Sequence, residues 1–512
     1  MATVVILVLS LITLLLLRAV PGAIGRSAGP HQLTLALALP VAANFGGTYT
    51  LFAIGTMGLM LLAPAITGRG LELPHAADVA LRARLYVFAL PMMPILTRTV
   101  AVSGLTLVQM TYVNLLSFGM VMAMIRAGQS LRTSSLARWD VLAAIMILVQ
   151  LFMNARGQDT GFAVRATLNV LMNLGLPYLI VSRACLRARA PDMLLLSLVV
   201  AGCVLAVMAP AESVHHWLFY DSMPAAANAD PELISGYTKQ RDGLLRAHVT
   251  YGESTGLSLL FGLLIVMVFA LRDRIGPRRI TAGLALLLSA GLLFTFARVG
   301  YIVVALGLPA CAAYERRWRQ LATLLLVLPA LMGVLLVAAR YLPVVAASIG
   351  ISDDAAGSVD YRSQLLTAGL QLIRENWLTG ISMKTLLEKL AFLQTGEQIV
   401  DLVNQPLVIF IQAGVFGGLL YFAMFAAVLA ALFARGPRLD ADARAAGAAC
   451  FAGLIGMMGS LTTTSFGRNE ITYIVLLAAG AGVAARRRRA RPVASAAAEQ
   501  QEIRFVPAHA QQ

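Results

Sequence analysis

Long apolar runs recur along the whole chain, and no other feature limits the fold as strongly. Runs such as "TVVILVLSLITLLLL", "GLSLLFGLLIVMVFAL" and "LATLLLVLPALMGVLLVAA" are long enough, or nearly so, to cross about 30 Å of hydrocarbon as helices. Hydrophobic residues make up 59% of the 512 residues and charged residues only 13%, which exceeds what a soluble domain can cover with polar surface. The sequence therefore predicts an all-α, polytopic integral membrane protein with roughly 12 to 15 transmembrane helices. Before Arg126, the apolar stretch around Pro40 predicts either one long kinked helix or a tight pair.

The basic residues are distributed along the chain in a way that predicts its topology. The net charge is +15, but the arginines lie in short gaps between apolar runs and do not form one soluble face, so nucleic acid is not an expected partner. The clusters "RACLRARAP", "RDRIGPRR", "ERRWRQ" and "RRRRARP" are typical of cytoplasmic loops. With residues 486–489 assigned to the cytoplasm, single crossings between clusters place every one of them on that side.

Two long polar stretches then fall on the opposite, periplasmic side, and they set the predicted divisions of the chain. The second stretch contains "SDDAAGSVDYRSQLLTAGLQLIRENWLTGI", whose leucines have the spacing of an amphipathic helix after Asp360. It predicts a small helical subdomain on the outer membrane surface. The predicted divisions are N-terminal transmembrane helices (1–210), a first periplasmic loop (211–253), transmembrane helices that include a turn at Arg298 (254–339), a large periplasmic loop (340–404), C-terminal transmembrane helices (405–486) and a disordered cytoplasmic tail (487–512).

Neither the cysteines nor the first apolar run points to a secreted, disulfide-linked protein. The first run has no basic region before it, and its nearest positive charge, Arg18, follows it. It is therefore predicted to be a retained helix with its N-terminus outside and not a cleaved signal. The cysteines lack metal-ligand spacing, so neither a zinc site nor a disulfide framework is predicted; they are Cys185, Cys203, Cys311 and Cys450.

Arg298 stands between two apolar runs in "GLLFTFARVGYIVVALGL" with no polar loop around it. The run before it, near Thr281 to Phe296, leaves a cytoplasmic cluster, and the run after it, near Val299 to Ala313, returns to one. Arg298 is therefore predicted to lie in a very short turn at the outer membrane surface. A charge near hydrocarbon is costly unless it lies at an interface or beside a partner, so Arg298 is either a snorkelling anchor or a functional residue.

Three motifs in order resemble those of a known family. The stretch "FTFARVGYIVVALG" resembles the T-x-S-R-G turn that opens the second half of the O-antigen ligase and polymerase superfamily. The stretch "DYRSQLLTAGLQLIRENWLTGI" resembles the outer-loop helix of that family, and "DLVNQPLVIFIQAGVFGGLLYF" its entry into the next span. A weaker likeness links "RAHVTYGESTGLSLLFG" to an arginine-containing stretch of exopolysaccharide polymerases. The resemblance covers about a quarter of the chain, near Leu293 to Phe422.

Departures from the family pattern favour one branch of it. Ala297 replaces the usual serine, Val299 replaces the usual glycine, and Val403 stands where ligases carry a histidine before the asparagine, here Asn404. The missing histidine argues against a strict lipid A-core ligase. A polymerase of O-antigen or exopolysaccharide is therefore the better fit, although ligase and polymerase both remain open.

The resemblance implies a glycosyltransferase of the bacterial inner membrane, with a cytoplasmic C-terminus, that joins oligosaccharide units linked to undecaprenyl pyrophosphate. The leaving group is already present in such a substrate, so no cofactor and no metal are expected. Arginines at the outer surface would hold the pyrophosphate, and the candidates are Arg246, Arg298 and Arg362. Expected partners are the lipid-linked glycan, the bilayer, and the flippase and chain-length regulator of the same pathway.

The proton acceptor and the role of Asn404 stay open at this level. His248 and Glu253 follow Arg246 and are the candidate general bases, although both also suit solvated loop positions. Asn404 begins a span and either contacts substrate or caps its helix. A transporter or flippase is the main alternative function, but such carriers usually place ionisable groups near the midplane, whereas here charge collects in the two outer loops. A non-catalytic assembly protein is a third class.

Overall fold

The computed structural model describes residues 1–45, 75–94, 97–102, 105–223, 240–241, 244–341, 354–394, 400–467 and 469–486. Helices dominate these residues. In the first half they are α1 (Ala2–Ala19), α2 (Ala23–Ser27), α3 (Pro30–Phe45), α4 (His75–Met92), α5 (Tyr112–Arg126), α6 (Ala137–Ala155), α7 (Thr160–Val170), α8 (Leu176–Arg187) and α9 (Asp192–His215). In the second half they are α10 (Ser254–Ala270), α11 (Arg272–Ile275), α12 (Arg278–Phe294), α13 (Val299–Tyr314), α14 (Trp318–Ala338), α15 (Asp354–Glu375), α16 (Met383–Lys389), α17 (Gln405–Arg435), α18 (Ala441–Ser460) and α19 (Asn469–Ala484).

Several of these helices could cross a membrane. Among the described residues, six helical stretches are long and apolar enough: Ala2–Ala19, Ser134–Ala155, Thr160–Arg187, Asp192–His215, Trp318–Ala338 and Gln405–Arg438. Shorter apolar helices accompany them, and α5, α10, α13 and α19 are of this kind. The predicted all-α, polytopic membrane fold is thereby confirmed. The total of roughly 12 to 15 spans stays a prediction, because part of the apolar sequence near residues 46–74 and the tail 487–512 lie outside the described residues.

Part of the chain before Arg126 forms strands, which the sequence reading did not anticipate. Strands β1 (Thr97–Val102) and β2 (Leu105–Thr111) pair antiparallel, with Thr97 opposite Thr111 and a register shift after Val100. Threonine and valine recur in both strands, and β-branched residues favour extended backbone. A second, two-residue hairpin joins β3 (Gln240–Arg241) and β4 (Leu244–Leu245).

Helices from both halves of the chain pack into the centre of the bundle. Helix α9 is buried within the chain along almost its whole apolar length, and it packs against α4, α10 and α12. Helix α13 packs against α10 and α18. Helix α14 is the opposite case, since none of its residues is buried within the chain. Its apolar side chains are left for surroundings outside the described chain.

Ion pairs gather the predicted cytoplasmic clusters at one end of the bundle, here termed the basic end. Arg274, between α10 and α12, contacts the Asp192 carboxylate at the start of α9 and the Asp442 carboxylate at the start of α18, each at 2.8 Å. Further contacts of this end join Arg486 to the carbonyls of Cys185 and Ala188, and Glu315 to Arg272 and Arg317. The four basic segments therefore lie together, as the topology requires.

The opposite end, here termed the loop end, carries the described residues of the two long polar stretches. Helix α15 packs on the first turns of α17 and forms a small core of its own with α16, in which Leu365, Leu372 and Leu386 are buried. This core contains the amphipathic helix that the sequence predicts. Leu366 and Leu370 of the same helix remain 45% and 47% exposed, so α15 has a second apolar face that the described chain does not cover.

Candidate active site at the loop end

Arg298 lies in the turn between α12 and α13, and the backbone of that turn is tightly held. Residues 295–298 are termed the Arg298 turn. The Thr295 hydroxyl donates to the Leu292 carbonyl at 2.7 Å and closes the end of α12. Phe296 then takes a left-handed conformation, with φ of 47°, and its ring is 1% exposed. A bulky residue persists in this backbone region only where its surroundings fix it.

A hydroxyl on the neighbouring helix fixes the other side of the turn. Ser258 of α10 donates to the Ala297 carbonyl at 2.8 Å, and its oxygen accepts from the Gly300 backbone N–H at 3.0 Å. Arg298 itself is partly exposed and is the N-cap residue of α13. It therefore lies at the N-terminal, positive end of a helix dipole, which favours an anionic ligand nearby.

Arg246 belongs to a segment that runs beside the Arg298 turn. Its Nε donates to the Thr295 carbonyl at 3.3 Å, and the Ala247 backbone N–H donates to the Phe294 carbonyl at 3.1 Å. Two of the three arginines that the sequence suggests are thus attached to one turn, although more than 50 residues of sequence separate them. Both side chains are partly exposed.

A buried carboxylate that the sequence reading missed holds the next part of this segment. Glu212, in the last turn of α9, is fully buried. Its side chain accepts from the backbone N–H groups of Phe219 at 3.1 Å, His248 at 3.2 Å and Val249 at 2.8 Å. The signal in the sequence is one acidic residue near the end of an otherwise apolar run, "MLLLSLVVAGCVLAVMAPAE", because a carboxylate is costly there without partners.

His248, one of the two candidate bases, is buried and paired. Its Nε2 lies 3.4 Å from the Asp221 carboxylate, a residue that the sequence reading did not single out. Burial lowers the pKa of His248, but the bond to Asp221 and the charge of Glu212 outweigh burial, so the pKa lies above its ordinary value. The Nδ1 atom is buried and finds no partner among the described residues. His248 is therefore built into the loop that carries Arg246.

Glu253, the other candidate base, has a different environment. It precedes the first residue of α10, is exposed, and makes no capping bond to that helix. It lies five residues before Ser258, so about 7.5 Å along the helix axis separates it from the residue that holds the Arg298 turn. A carboxylate in this position is accessible from the loop end.

Arg362 and Asn404 belong to the subdomain formed by α15, α16 and the start of α17. Arg362 lies on the exposed side of α15, and within the described residues its guanidinium has no ion pair. Its convergence with Arg298 stays a prediction. Asn404 caps α17, because its side-chain oxygen accepts from the Leu407 backbone N–H at 3.1 Å. The capping role is therefore present, and a contact with substrate stays a prediction.

The turn that follows α15 fits against a break in α17. Gly414 interrupts the helix with φ of 69°, and Gly380 in the turn has φ of 67°. The Val415 backbone N–H donates to the Trp377 carbonyl at 2.8 Å, and the Ile381 backbone N–H donates to the Ile411 carbonyl at 2.9 Å. The segment that resembles the family's outer-loop turn is thereby locked onto α17.

The site combines positive charge, helix N-termini and one accessible carboxylate at the loop end. Such an arrangement can hold a phosphate-containing ligand and accept a proton nearby. Within the described residues, no group of His, Cys, Asp and Glu is placed to hold a metal ion, and the four cysteines are buried and unpaired.

Comparison with known proteins agrees with the motifs. The model of a family described as O-antigen ligase matches residues 283–422, a range that contains the Arg298 turn, α15 and the first half of α17. A search of curated proteins finds no match. The matched range begins and ends close to the region that the motifs outline, so residues 283–422 of this multi-pass membrane protein are similar to the O-antigen ligase family, as the motifs predict.

Proposed function

We propose that this protein joins oligosaccharide units carried on a polyprenyl pyrophosphate, undecaprenyl pyrophosphate in bacteria, at the periplasmic face of the inner membrane. One observation supports this proposal most strongly. Arg246 and Arg298 meet at one turn, that turn lies inside the O-antigen ligase match, and it lies at the end of the bundle opposite the basic clusters. The positive-inside bias does not explain arginines on that side of the membrane, whereas binding of a phosphate group does.

The transfer requires a bond exchange at the anomeric carbon of the donor sugar. The acceptor hydroxyl oxygen forms a bond to that carbon, the bond from the carbon to the phosphate oxygen breaks, and its electron pair leaves with the pyrophosphate. Arg246 and Arg298 stabilise the negative charge on the departing group. Glu253 takes the hydroxyl proton, because its carboxylate is exposed at the loop end whereas the His248 ring is buried. No nucleotide is needed, since the pyrophosphate is already in place.

Polymerisation is the favoured form of this reaction. Val403 replaces the histidine of the ligases, and Asn404 after it caps α17, so this position offers no imidazole for proton transfer. The acceptor is then a second lipid-linked unit of the same polysaccharide. A flippase would deliver these units, and a chain-length regulator would limit their joining.

The test is a deletion strain complemented with variants. A strain without this protein should accumulate single oligosaccharide units on the lipid carrier at the outer leaflet, and the wild-type gene should restore long polymer. Lipid-linked sugars would be extracted, sized by mass spectrometry, and assigned to a leaflet by their accessibility to an impermeant reagent in intact spheroplasts. Accumulation of units at the inner leaflet would indicate a flippase and would overturn the proposal.

A further inference from the structure

Glu212 is buried among the contacts that tie α9 to the segment bearing Arg246. Three backbone N–H groups point at its carboxylate, one from the loop after α9 and two from the segment after Arg246. The neighbouring Ser213 hydroxyl donates to the Leu245 carbonyl at 2.7 Å. The last turn of α9 therefore holds this segment on both sides of Arg246.

The backbone that Glu212 holds is conformationally unfavourable without support. Val249 has φ of 45°, a region that β-branched residues rarely occupy, and it makes the shortest of the three bonds to Glu212, at 2.8 Å. A buried carboxylate is also costly unless its lone pairs are satisfied. The two unfavourable features compensate each other, because the carboxylate finds its donors in the strained segment and the strained segment finds its acceptor in the carboxylate.

The same segment continues into the Arg298 turn. One residue before His248, the Ala247 N–H donates to the Phe294 carbonyl at 3.1 Å, and Arg246 donates to the Thr295 carbonyl at 3.3 Å. A rigid path of hydrogen bonds thus runs from Glu212 through residues 246–249 to the end of α12. A shift of this segment would move the Arg246 guanidinium relative to Arg298.

We propose that Glu212 is a positioning residue that fixes residues 246–249 against the Arg298 turn and so sets the spacing of the two arginines for the pyrophosphate of the donor. The last step of this inference rests on the proposed function, whereas the anchoring of the segment does not. Glu212 does not touch the substrate. It acts through the backbone N–H groups of His248 and Val249.

The first test measures the anchoring without any reference to activity. All four native cysteines are buried, and Ala247 is fully buried, so an Ala247→Cys variant should react slowly with a water-soluble maleimide. Adding Glu212→Gln, which keeps the side-chain shape but replaces one acceptor oxygen with a donor, should speed this reaction at least about tenfold, since opening of the segment becomes easier. An unchanged labelling rate would overturn the inference.

A matched control separates anchoring from general loss of stability. Asp192, at the other end of α9, is also a fully buried carboxylate, and it binds Arg274 at the basic end. Asp192→Asn should leave the labelling of the thiol introduced at Ala247 unchanged, even where it lowers protein yield. If Asp192→Asn and Glu212→Gln accelerate labelling equally, the effect is global and the inference is wrong.

The second test concerns positioning and uses chain extension by purified protein in lipid nanodiscs with a lipid-linked donor. Glu212→Gln and Arg246→Ala should each reduce the rate at least about tenfold, and the double variant should be no slower than Arg246→Ala alone, because the two residues act through one guanidinium. Multiplied losses would overturn the positioning role. If the Arg246→Ala variant extends chains normally while Glu212→Gln still speeds labelling, the anchoring by Glu212 is supported and the arginine clamp of the proposed function is wrong.

Discussion

At the residue scale, Arg298 has two explanations that differ in what they require of its neighbours. A snorkelling anchor needs only a position near the interface and gains nothing from a fixed backbone. The Arg298 turn, however, is held by Ser258 on one side and by Arg246 on the other, and it carries a left-handed Phe296. Such a constrained turn suits a group whose orientation matters, as a phosphate-binding guanidinium's does.

The first prediction concerns Arg298 and Arg362, two of the three arginines that the sequence suggests for the pyrophosphate. Arg298→Ala and Arg362→Ala should leave the protein inserted and abundant but reduce chain extension at least about 100-fold, because each removes charge that stabilises the departing group. Arg298→Lys should retain some activity only if a point charge is sufficient, since lysine lacks the planar fork. Polysaccharide length and membrane protein level would be measured together.

A control for this experiment lies on the same helix as Arg362. Arg374 is also exposed on α15, and Arg374→Ala changes the net charge of the subdomain by the same amount, so it should extend chains at nearly the wild-type rate. Normal polymer length from Arg298→Ala would return that residue to the role of an interfacial anchor. Normal length from Arg362→Ala would remove it from the clamp.

The second prediction separates the two candidate bases. Glu253→Gln should slow chain extension about 100-fold, as expected for loss of a general base. His248→Asn should have a smaller effect, because the imidazole is buried against Asp221. Glu388→Gln, at an exposed carboxylate on α16, serves as the control. A larger loss for His248→Asn than for Glu253→Gln would reverse the assignment, and wild-type rates from both would exclude them from the mechanism.

The third prediction is the pH dependence of the bond between His248 and Asp221. Folding raises the pKa of His248 above its ordinary value of 6.5, so the stabilisation is fully present below about pH 6.5 and is lost as the pH rises through the folded value. Asp221→Asn should therefore lower the Tm in detergent by about 1–3 °C at pH 6 and by much less at pH 9.

An ion pair without histidine provides the comparison for this measurement. Asp273 lies 3.4 Å from Arg317 at the basic end and is 73% exposed. Any Tm change from Asp273→Asn should be the same at both pH values. An equal Tm loss at pH 6 and pH 9 for Asp221→Asn would mean that the charge of the ring does not change over this range, which contradicts the prediction.

Individual site residues could be predicted from the sequence only where a local pattern marks them. Arg298 is visible because it interrupts an apolar run, and Asn404 because it precedes one; the structure confirms the turn and the cap. Glu212 and Asp221 both contact His248, which lies 36 positions from Glu212 and 27 from Asp221. Contacts between residues distant in sequence leave no local pattern. The sequence therefore places Glu212 at the start of the predicted loop 211–253 but gives this residue no role.

At the scale of elements, the fit of the Trp377–Gly380 turn on α17 depends on backbone that only glycine adopts easily. A Cβ on Gly414 would lie 2.4 Å from the Leu378 carbonyl oxygen, and one on Gly380 would lie 2.4 Å from the Gln412 carbonyl oxygen. The Arg156 side chain, at the end of α6, also donates to the Thr379 carbonyl. The family-like turn is therefore held between α17 and the loop after α6.

The fourth prediction tests this fit. Gly414→Ala should destabilise the protein by about 1–3 kcal/mol, because it combines an unfavourable φ with a close backbone contact, and it should make α15 more sensitive to added protease. Gly333→Ala in α14 is the matched control, since no atom lies within 4 Å of a Cβ there and alanine is the better helix former. Equal protease resistance of the two variants would show that the turn does not depend on the break in α17.

Helices with a continuous apolar run could be predicted from the sequence, whereas the strands could not. The helices around Arg298 were expected near Thr281 to Phe296 and Val299 to Ala313, and they occur as Arg278–Phe294 and Val299–Tyr314. The hairpin of β1 and β2 was not expected, because an apolar run with frequent threonine and valine satisfies both helix and strand patterns. Burial by neighbouring segments decides between them, and a single sequence does not contain that information.

At the scale of the whole molecule, the separation of charge defines two ends. Arg274 joins the first turns of α9 and α18, and Arg486 joins the end of α19 to the end of α8, so the described parts of the basic clusters lie at one end of the bundle. Helix α9 carries no charge between Asp192 and Glu212, which is unlike a carrier with ionisable groups at its midplane. The whole arrangement fits a bundle that works at one membrane surface.

The last prediction is the orientation of these two ends. A reporter fused after Arg317 should register in the cytoplasm and one fused after Tyr361 should register in the periplasm, because α14 runs from the basic end and the positive-inside bias assigns that end to the cytoplasm. A further fusion after Arg279 should agree with the first, since Arg272 and Arg317 share the Glu315 carboxylate. Paired alkaline phosphatase and fluorescent protein fusions give opposite signals for the two sides, so each position is read twice. If positions 317 and 361 registered on the same side, α14 would not cross the membrane, and Arg362 would face a different compartment from Arg298. Arg362 would then be excluded from the pyrophosphate site, because two guanidinium groups on opposite sides of a bilayer cannot hold one pyrophosphate.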